Sequence, residues 1–282
     1  MVVKEWPPTR FIRYEDTVWG SSTGPAIITT DAGRAYLKAI NNPMGPHALA
    51  REWVGAKLAR LFGLEIFEMA ILFVSDYDEI PIKGGLAAPG PALLTREVKN
   101  GFNWGGDPKE LDIIENPDGV TRLVVFDTWT RNKDRHPPSD IDWSQNYDNV
   151  FFSPKNAAAG RFRLIAMDHS ECFLGPLNAR MATIDRVKDD RIYGLFDAFK
   201  PLMDQETLFD TIDRLRQVDR FEVSAIVGEL PKEWDVNAAA AEALVSLIME
   251  RADYLADNLV GTLGAEAWPG ELLFRGGGNV TR

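Results

Sequence analysis

A single cysteine, Cys172, stands in 282 residues. One thiol excludes an intrachain disulfide and any cysteine-rich zinc site. Histidine is scarce too: His47, His136 and His169 are the whole complement, too dispersed to form a metal-binding motif. No apolar run approaches the ~18 residues that cross a bilayer, and the longest, Met69 to Val74, is of strand length. The start, Met1-Val2-Val3-Lys4-Glu5-Trp6-Pro7-Pro8, has neither the apolar core nor the cleavage site of a secretory signal. These absences point to a reducing cytoplasm and to no membrane partner. Positive charge is short as well, with 31 Lys+Arg against 42 Asp+Glu and a net charge of −11. A direct nucleic-acid partner would need a basic stripe to displace phosphate counterions. Small phosphate ligands stay open, because one loop and one lysine suffice to hold them.

What is present can build a large core: 45% of residues are apolar, with 8 Trp and 15 Phe. The first hundred residues read as strands around one helix. Short strands are expected at Phe11–Tyr14, Ala26–Thr30, Ala35–Ile40, Phe67–Val74 and Ala92–Val98. The helix is expected over His47–Phe62, where Ala50, Val54, Leu58 and Leu61 recur at helical spacing and Gly63 supplies a stop. Lys83–Pro91 reads as a flexible loop. A second loose stretch, Asn100–Gly119, holds four Gly and two Pro and marks the boundary between two units, residues 1–100 and 101–282. Beyond it come a helix at Leu123–Thr130, a hairpin of Asn149–Phe152 with Arg161–Met167, and helices at Met203–Val218, Phe221–Glu229 and Asn237–Leu263. The Ala-rich last helix, with Arg251 as its one basic residue, reads as packing, and the Arg275–Asn279 tail reads as frayed.

Chemistry concentrates in three segments: Asn132-Lys133-Asp134-Arg135-His136, Tyr147-Asp148-Asn149-Val150-Phe151-Phe152 and Met167-Asp168-His169-Ser170. Alternation along Phe162–Asp168 puts Phe162, Leu164, Ala166 and Asp168 on one face. An acid that ends such a run is partly buried and needs a cation, a metal or several donors. The bland reading is that Asp168 caps the hairpin and that Asp134 pairs with Arg131 or Arg135. Lys38, mid-strand beside Tyr36 and Ile40, is an edge-strand charge or a buried phosphate ligand. Glu52 has the sign to pair with it, or is solvated near Lys57. Gly20-Ser21-Ser22-Thr23-Gly24 is a β-turn or a phosphate cradle; it is no Walker loop, since no Gly-Lys-Ser/Thr follows. Cys172 reads as core, and Ser170 lacks the Gly-x-Ser-x-Gly elbow of a hydrolase.

In their order, these segments resemble the HipA-like kinases, a bacterial branch of the protein-kinase-like fold related to phosphatidylinositol kinases. Asn132 to His136 matches the family's Asn-x-Asp-Arg-His element, Asn149-Val150-Phe151-Phe152 its asparagine element, and Leu164 to His169 the strand that ends in its metal-binding aspartate. The resemblance covers most of residues 18–175 and implies an α+β, bilobal kinase fold, with a small β-rich N-lobe and a mainly helical C-lobe. It implies ATP and Mg²⁺ as cofactors, Asp134 as the catalytic aspartate facing the acceptor hydroxyl, and Asn149 and Asp168 as metal ligands. It further implies Lys38 on the ATP phosphates with Glu52 as its helix partner, Gly20, Ser21, Ser22, Thr23 and Gly24 as the nucleotide loop, and Glu97 and Val98 at the adenine hinge.

One departure stands out. Asp134 and Asn149 are fifteen positions apart, where the family has only a few, so Pro137–Asp148 reads as an insertion in the catalytic loop. Long loops are tolerated at about 0.6 kcal/mol per doubling, yet the insertion leaves Asn146 and Asp148 open as alternative ligands. The expected reaction is γ-phosphoryl transfer to a Ser/Thr hydroxyl of a protein substrate, the chain's own Gly/Ser loop included. The alternatives are a small-molecule or lipid acceptor, a nucleotide-binding pseudokinase that works through an antitoxin-like or regulatory protein partner, and a Mg²⁺-dependent phosphoesterase.

Overall fold

A computed structural model describes residues 6–271 and Leu273; the Arg275–Asn279 tail lies outside the described residues. The fold mixes a β-sheet region with a helical part. The sheet is built from β1 (Phe11–Thr17), β2 (Ala26–Thr30) and β3 (Gly33–Lys38). Alternation in β2 buries Ala26, Ile28 and Thr30. The turn into β3 passes through Gly33 at φ 112°, a left-handed geometry that glycine adopts without Cβ strain. The buried Asn42 then turns the chain, its amide donating to the carbonyls of Ala39 at 2.8 Å and Gly45 at 3.0 Å. It delivers the chain into α1 (Pro46–Leu61), with Pro46 in the first turn, where its missing N–H is no loss.

After α1 come β4 (Met69–Val74), β5 (Pro81–Ile82), β6 (Gly85–Leu86) and β7 (Gly90–Arg96). Five strands form an antiparallel sheet in the order β1-β2-β3-β7-β4. The flexible loop expected at Lys83–Pro91 is in part a hairpin: β5 pairs with β6 around Lys83 and Gly84, and Lys83 Nζ donates to the Ser21 carbonyl at 3.0 Å. Strands of two residues carry no periodicity that a sequence could display.

The expected linker at Asn100–Gly119 is also structured. It holds β8 (Phe102–Asn103), a 3-10 helix over Pro108–Ile113 and the start of α2 (Asp118–Thr130). β9 (Val150–Ser153) lies between β8 and β10 (Arg163–Ala166) in a second, three-stranded sheet. The remaining α-helices among the described residues are α3 (Ile184–Val187), α4 (Gln205–Arg216), α5 (Arg220–Gly228) and α6 (Ala238–Ala267). None of the described helices is long and apolar enough to cross a membrane.

Two apolar clusters fill the interior. The smaller lies on the five-stranded sheet around Ile28, Leu37 and Leu94; the larger joins α1, Leu93 and the helices from α2 onward. α1 thus belongs to the larger cluster although it is sandwiched in sequence between sheet strands. In α6, Arg251 is buried and donates to the carbonyls of Trp129 at 2.7 Å, Asp189 at 3.0 Å and Val187 at 3.2 Å, and also to those of Thr128 and Arg186. One guanidinium therefore answers the open carbonyls where α2 and α3 end. Burial lowers its pKa to about 10.

Candidate active site

Five expected polar residues meet in two groups. In the first, Lys38 at the end of β3 meets Glu52 of α1 and Asp168, which follows β10. Lys38 Nζ stands 3.1 Å from Glu52 Oε2 and 3.7 Å from Asp168 Oδ1. Burial works against the lysine's charge, but Asp168 and Glu52 outweigh it and hold its pKa above the ordinary value. Asp168 feels the same burial in the opposite sense, yet Lys38 and the donors of Ser170 keep its carboxyl well below the usual range. Those donors are the Ser170 N–H at 3.1 Å and its hydroxyl at 2.5 Å. Glu52 also accepts the His169 N–H at 3.1 Å, and burial pushes its pKa up to about 7 in spite of Lys38. Neither bland reading of this pair holds: Lys38 is largely buried, and Lys57 bonds to Glu229 instead of Glu52.

The second group is Asp134, Asn149 and Trp143. Asn149 Nδ2 donates to Asp134 Oδ2 at 2.7 Å, and Trp143 Nε1 donates to Asp134 Oδ1 at 3.1 Å. The fifteen-residue separation is thus closed by a direct bond. Of the three candidates it is Asn149 that meets Asp134; the Asn146 N–H turns to the Arg135 carbonyl at 2.8 Å, and Asp148 is exposed. Neither arginine pairs with Asp134. Arg131 bonds to Asp189 at 2.7 Å, and Arg135 bonds to Asp127 at 3.1 Å.

Asn132 and Arg135 connect the two groups. Arg131 closes α2 in the left-handed conformation, φ 55°, and turns the chain directly into the loop. Asn132 Oδ1 accepts the Asp134 N–H at 3.2 Å, while its amide reaches the Asp168 carbonyl at 3.5 Å. Arg135 Nη2 donates to the Met167 carbonyl at 2.8 Å. Its partner Asp127 is fully buried in α2, and burial pushes the carboxyl up to about 7 against the pull of Arg135. Asp168 itself is left-handed, φ 53°, a conformation that aspartate tolerates better than most residues.

α1 presses close to this turn. A Cβ on Gly55 would stand 2.6 Å from the Cβ of His169, and Arg51 Nη1 donates to the Gly175 carbonyl at 2.8 Å. His169 is buried edge-on to Phe126, with ring centroids 5.4 Å apart, and burial drops its pKa to about 3. It is neutral scaffold, and Cys172 is core. Sequence reasoning missed Asp127 and Trp143. Asp127 left a signal, an acid inside the apolar run Val124-Val125-Phe126; Trp143 left none, since its contact depends on the path of a long loop.

A family model described as HipA-like kinase matches residues 16–258. The chain belongs to the HipA-like kinase family. A kinase role follows at that level. Among solved structures, the Helicobacter pylori proinflammatory kinase CtkA is similar with a TM-score of 0.57 at 14% identity, over 86% of this chain and 94% of that one. A Shewanella oneidensis toxin–antitoxin complex of HipA, HipB and operator DNA matches with a TM-score of 0.39 at 11% identity, over 92% of this chain and 68% of that one. The comparison with curated proteins finds no match.

Other expected positions of this HipA-like kinase bond to neither group. Gly20 to Gly24 form the turn between β1 and β2, at the end of the sheet where Ala26 pairs with Leu37. Within the turn the Ser21 and Thr23 hydroxyls share a hydrogen bond at 3.2 Å. Glu97 donates its N–H to the Arg34 carbonyl at 3.1 Å, and Glu97 and Val98 line a surface cavity of about 640 Å³ with Arg34, Arg96 and Lys155. Among the described residues no three His, Cys, Asp or Glu side chains are grouped to hold a metal. The donor chemistry of Asn149 and Asp168 is nevertheless of the kind that Mg²⁺ takes. Asn149 spends its amide N–H₂ on Asp134 and keeps its oxygen, Asp168 stays ionised, and Mg²⁺ in phosphoryl-transfer sites takes few carboxylates beside phosphate and water.

Proposed function

We propose that the protein transfers the γ-phosphoryl group of Mg²⁺-ATP to a Ser/Thr hydroxyl of a protein, its own Gly20–Gly24 loop among the acceptors. The observation that carries this reading is the meeting of Lys38, Glu52 and Asp168 from three distant stretches, bridged through Asn132 to the Asp134–Asn149 pair. Glu52 holds Lys38 toward the phosphates. Asp134 accepts the proton of the acceptor hydroxyl as its oxygen bonds to the γ-phosphorus and the bond to the ADP oxygen breaks. Asn149 and Asp168 would hold Mg²⁺, which would supply positive charge to the phosphates. The Glu97 carbonyl and the Val98 backbone offer hydrogen bonds to adenine, since the Glu97 N–H is taken by the Arg34 carbonyl. The same proposal divides the chain into two lobes near residue 100, supported by the completion of the five-stranded sheet at Arg96 and by its own small apolar cluster.

The test is transfer of label from γ-labelled ATP in the presence of Mg²⁺, followed by intact-mass and phosphosite mapping. The inactive control is Asp168→Asn, because asparagine keeps the left-handed backbone that alanine would strain. Wild type is expected to label an acceptor, and the variant to lose at least about 10²-fold. ATP that stabilises the wild-type fold without any transfer overturns the reading.

A further inference from the structure

The inserted segment is a built wall of the site. Ile141 and Trp143 close short turns onto Pro138 and Ile141, at 3.0 and 2.9 Å. Asp140 bonds to Arg191 at 2.8 Å. Near the far end Tyr147 packs on Phe196 and Trp104, with ring centroids 5.0 and 5.2 Å apart. Between these anchors lies a cavity of about 510 Å³ lined by Asp134, Asp142, Trp143, Ser144, Gln145 and Asn146. The lining holds two carboxylates and no cation. Lys133 lies outside it, its ammonium 3.6 Å from the centre of the Trp143 ring and 3.5 Å from Glu171.

We infer that this cavity is the acceptor subsite, that Trp143 is the residue positioning Asp134 toward it, and that it selects a hydroxyl with a cationic group nearby. The inference rests on the phosphotransferase reading above. Each carboxylate oxygen has two lone-pair sites. Asn149 fills one on Oδ2 and the indole N–H one on Oδ1, so the carboxylate is held from both sides and a site remains on each oxygen for the entering hydroxyl. The Trp143 ring already faces the Lys133 ammonium, so it is the Asp142 carboxylate that favours a cation beside that hydroxyl.

The experiment uses the full chain, Mg²⁺-ATP and two serine peptides, one flanked by arginine and one by glutamate. Trp143→Phe keeps a ring against Lys133 and removes the N–H. It is expected to lower kcat for the arginine-flanked peptide about tenfold or more, with the KM for ATP and the thermal shift given by Mg²⁺-ATP unchanged. Asp142→Asn is expected to narrow the ratio of kcat/KM between the two peptides. Wild-type kcat in Trp143→Phe, or a wild-type preference for the glutamate-flanked peptide, overturns the inference alone. A wild type that binds Mg²⁺-ATP and phosphorylates neither peptide nor itself overturns the phosphotransferase reading, and this inference with it.

Discussion

At the scale of single residues, the ionised groups differ in what burial does to them. Asp189 shows the rule with a sign that can be measured. It is buried among Arg131 Nε at 2.7 Å, Arg191 Nε at 2.8 Å and the Tyr193 hydroxyl at 2.9 Å. Burial alone would raise its pKa, but these donors outweigh it and hold the carboxyl well below the ordinary 3.8. Above that ordinary value the folded and unfolded chains are both ionised, and the stabilisation is complete. As the pH falls below it the unfolded chain takes up the proton first, and the stabilisation fades toward the lower folded value. Asp189→Asn strands Arg131 and is expected to destabilise by about 3 kcal/mol near neutrality. In urea titrations the gap between wild type and variant should stay level from about pH 7 to about pH 5 and shrink below about pH 4. A gap that widens in acid would contradict the assignment.

At the scale of elements, the site depends on how closely α1 lies over the turn that carries Asp168. Glu52 and Gly55 sit on adjacent turns of that helix, one bonded to the turn and the other allowing contact with it. Gly55→Ala places a methyl group 2.6 Å from the Cβ of a buried residue whose own backbone is fixed. Such overpacking is expected to lower stability by roughly 1–3 kcal/mol. It should also lower phosphoryl transfer more than a surface alanine of α1 would, as calorimetry and label transfer can compare.

The elements were unevenly legible in the sequence. β2 runs over Ala26–Thr30 as expected, and α1 begins and ends one residue early, because strand alternation and helical spacing are local signals. α2 starts five residues before its expected Leu123, since Pro117 and Gly119 look like linker yet fit a helix start. β5, β6 and β8 are pairs of residues whose pairing is set by tertiary contact. The candidate site was legible as a set of residues chiefly through the resemblance to HipA-like kinases; pattern alone marked Asp168, an acid at the end of an apolar run. The geometry of the site was not legible. The Asn149–Asp134 bond and the Trp143 contact are made by a loop that folds back, and no local pattern encodes that path.

At the scale of the whole molecule, the −11 charge and the phosphate site are separate matters. The charge is a sum over the whole chain, whereas Lys38 is buried between two carboxylates, so on the proposed reading nucleotide binding would lean on one protected cation and on Mg²⁺ rather than on the global field. Mg²⁺-ATP should therefore stabilise the entire fold by mass action, about 2.7 kcal/mol at a ligand concentration a hundred times Kd. Differential scanning fluorimetry should show that shift with Mg²⁺ and a much smaller one with EDTA. An equal shift without Mg²⁺ would remove the metal from the nucleotide's binding energy.

The left-handed backbone at Asp168 bears on inheritance. Only glycine and asparagine share aspartate's ease in that conformation, and each is one base change from an aspartate codon. The replacements that keep this backbone conformation are thus the ones that remove the carboxylate. On the proposed reading, a single base change at Asp168 would give a chain that keeps this turn and loses phosphoryl transfer.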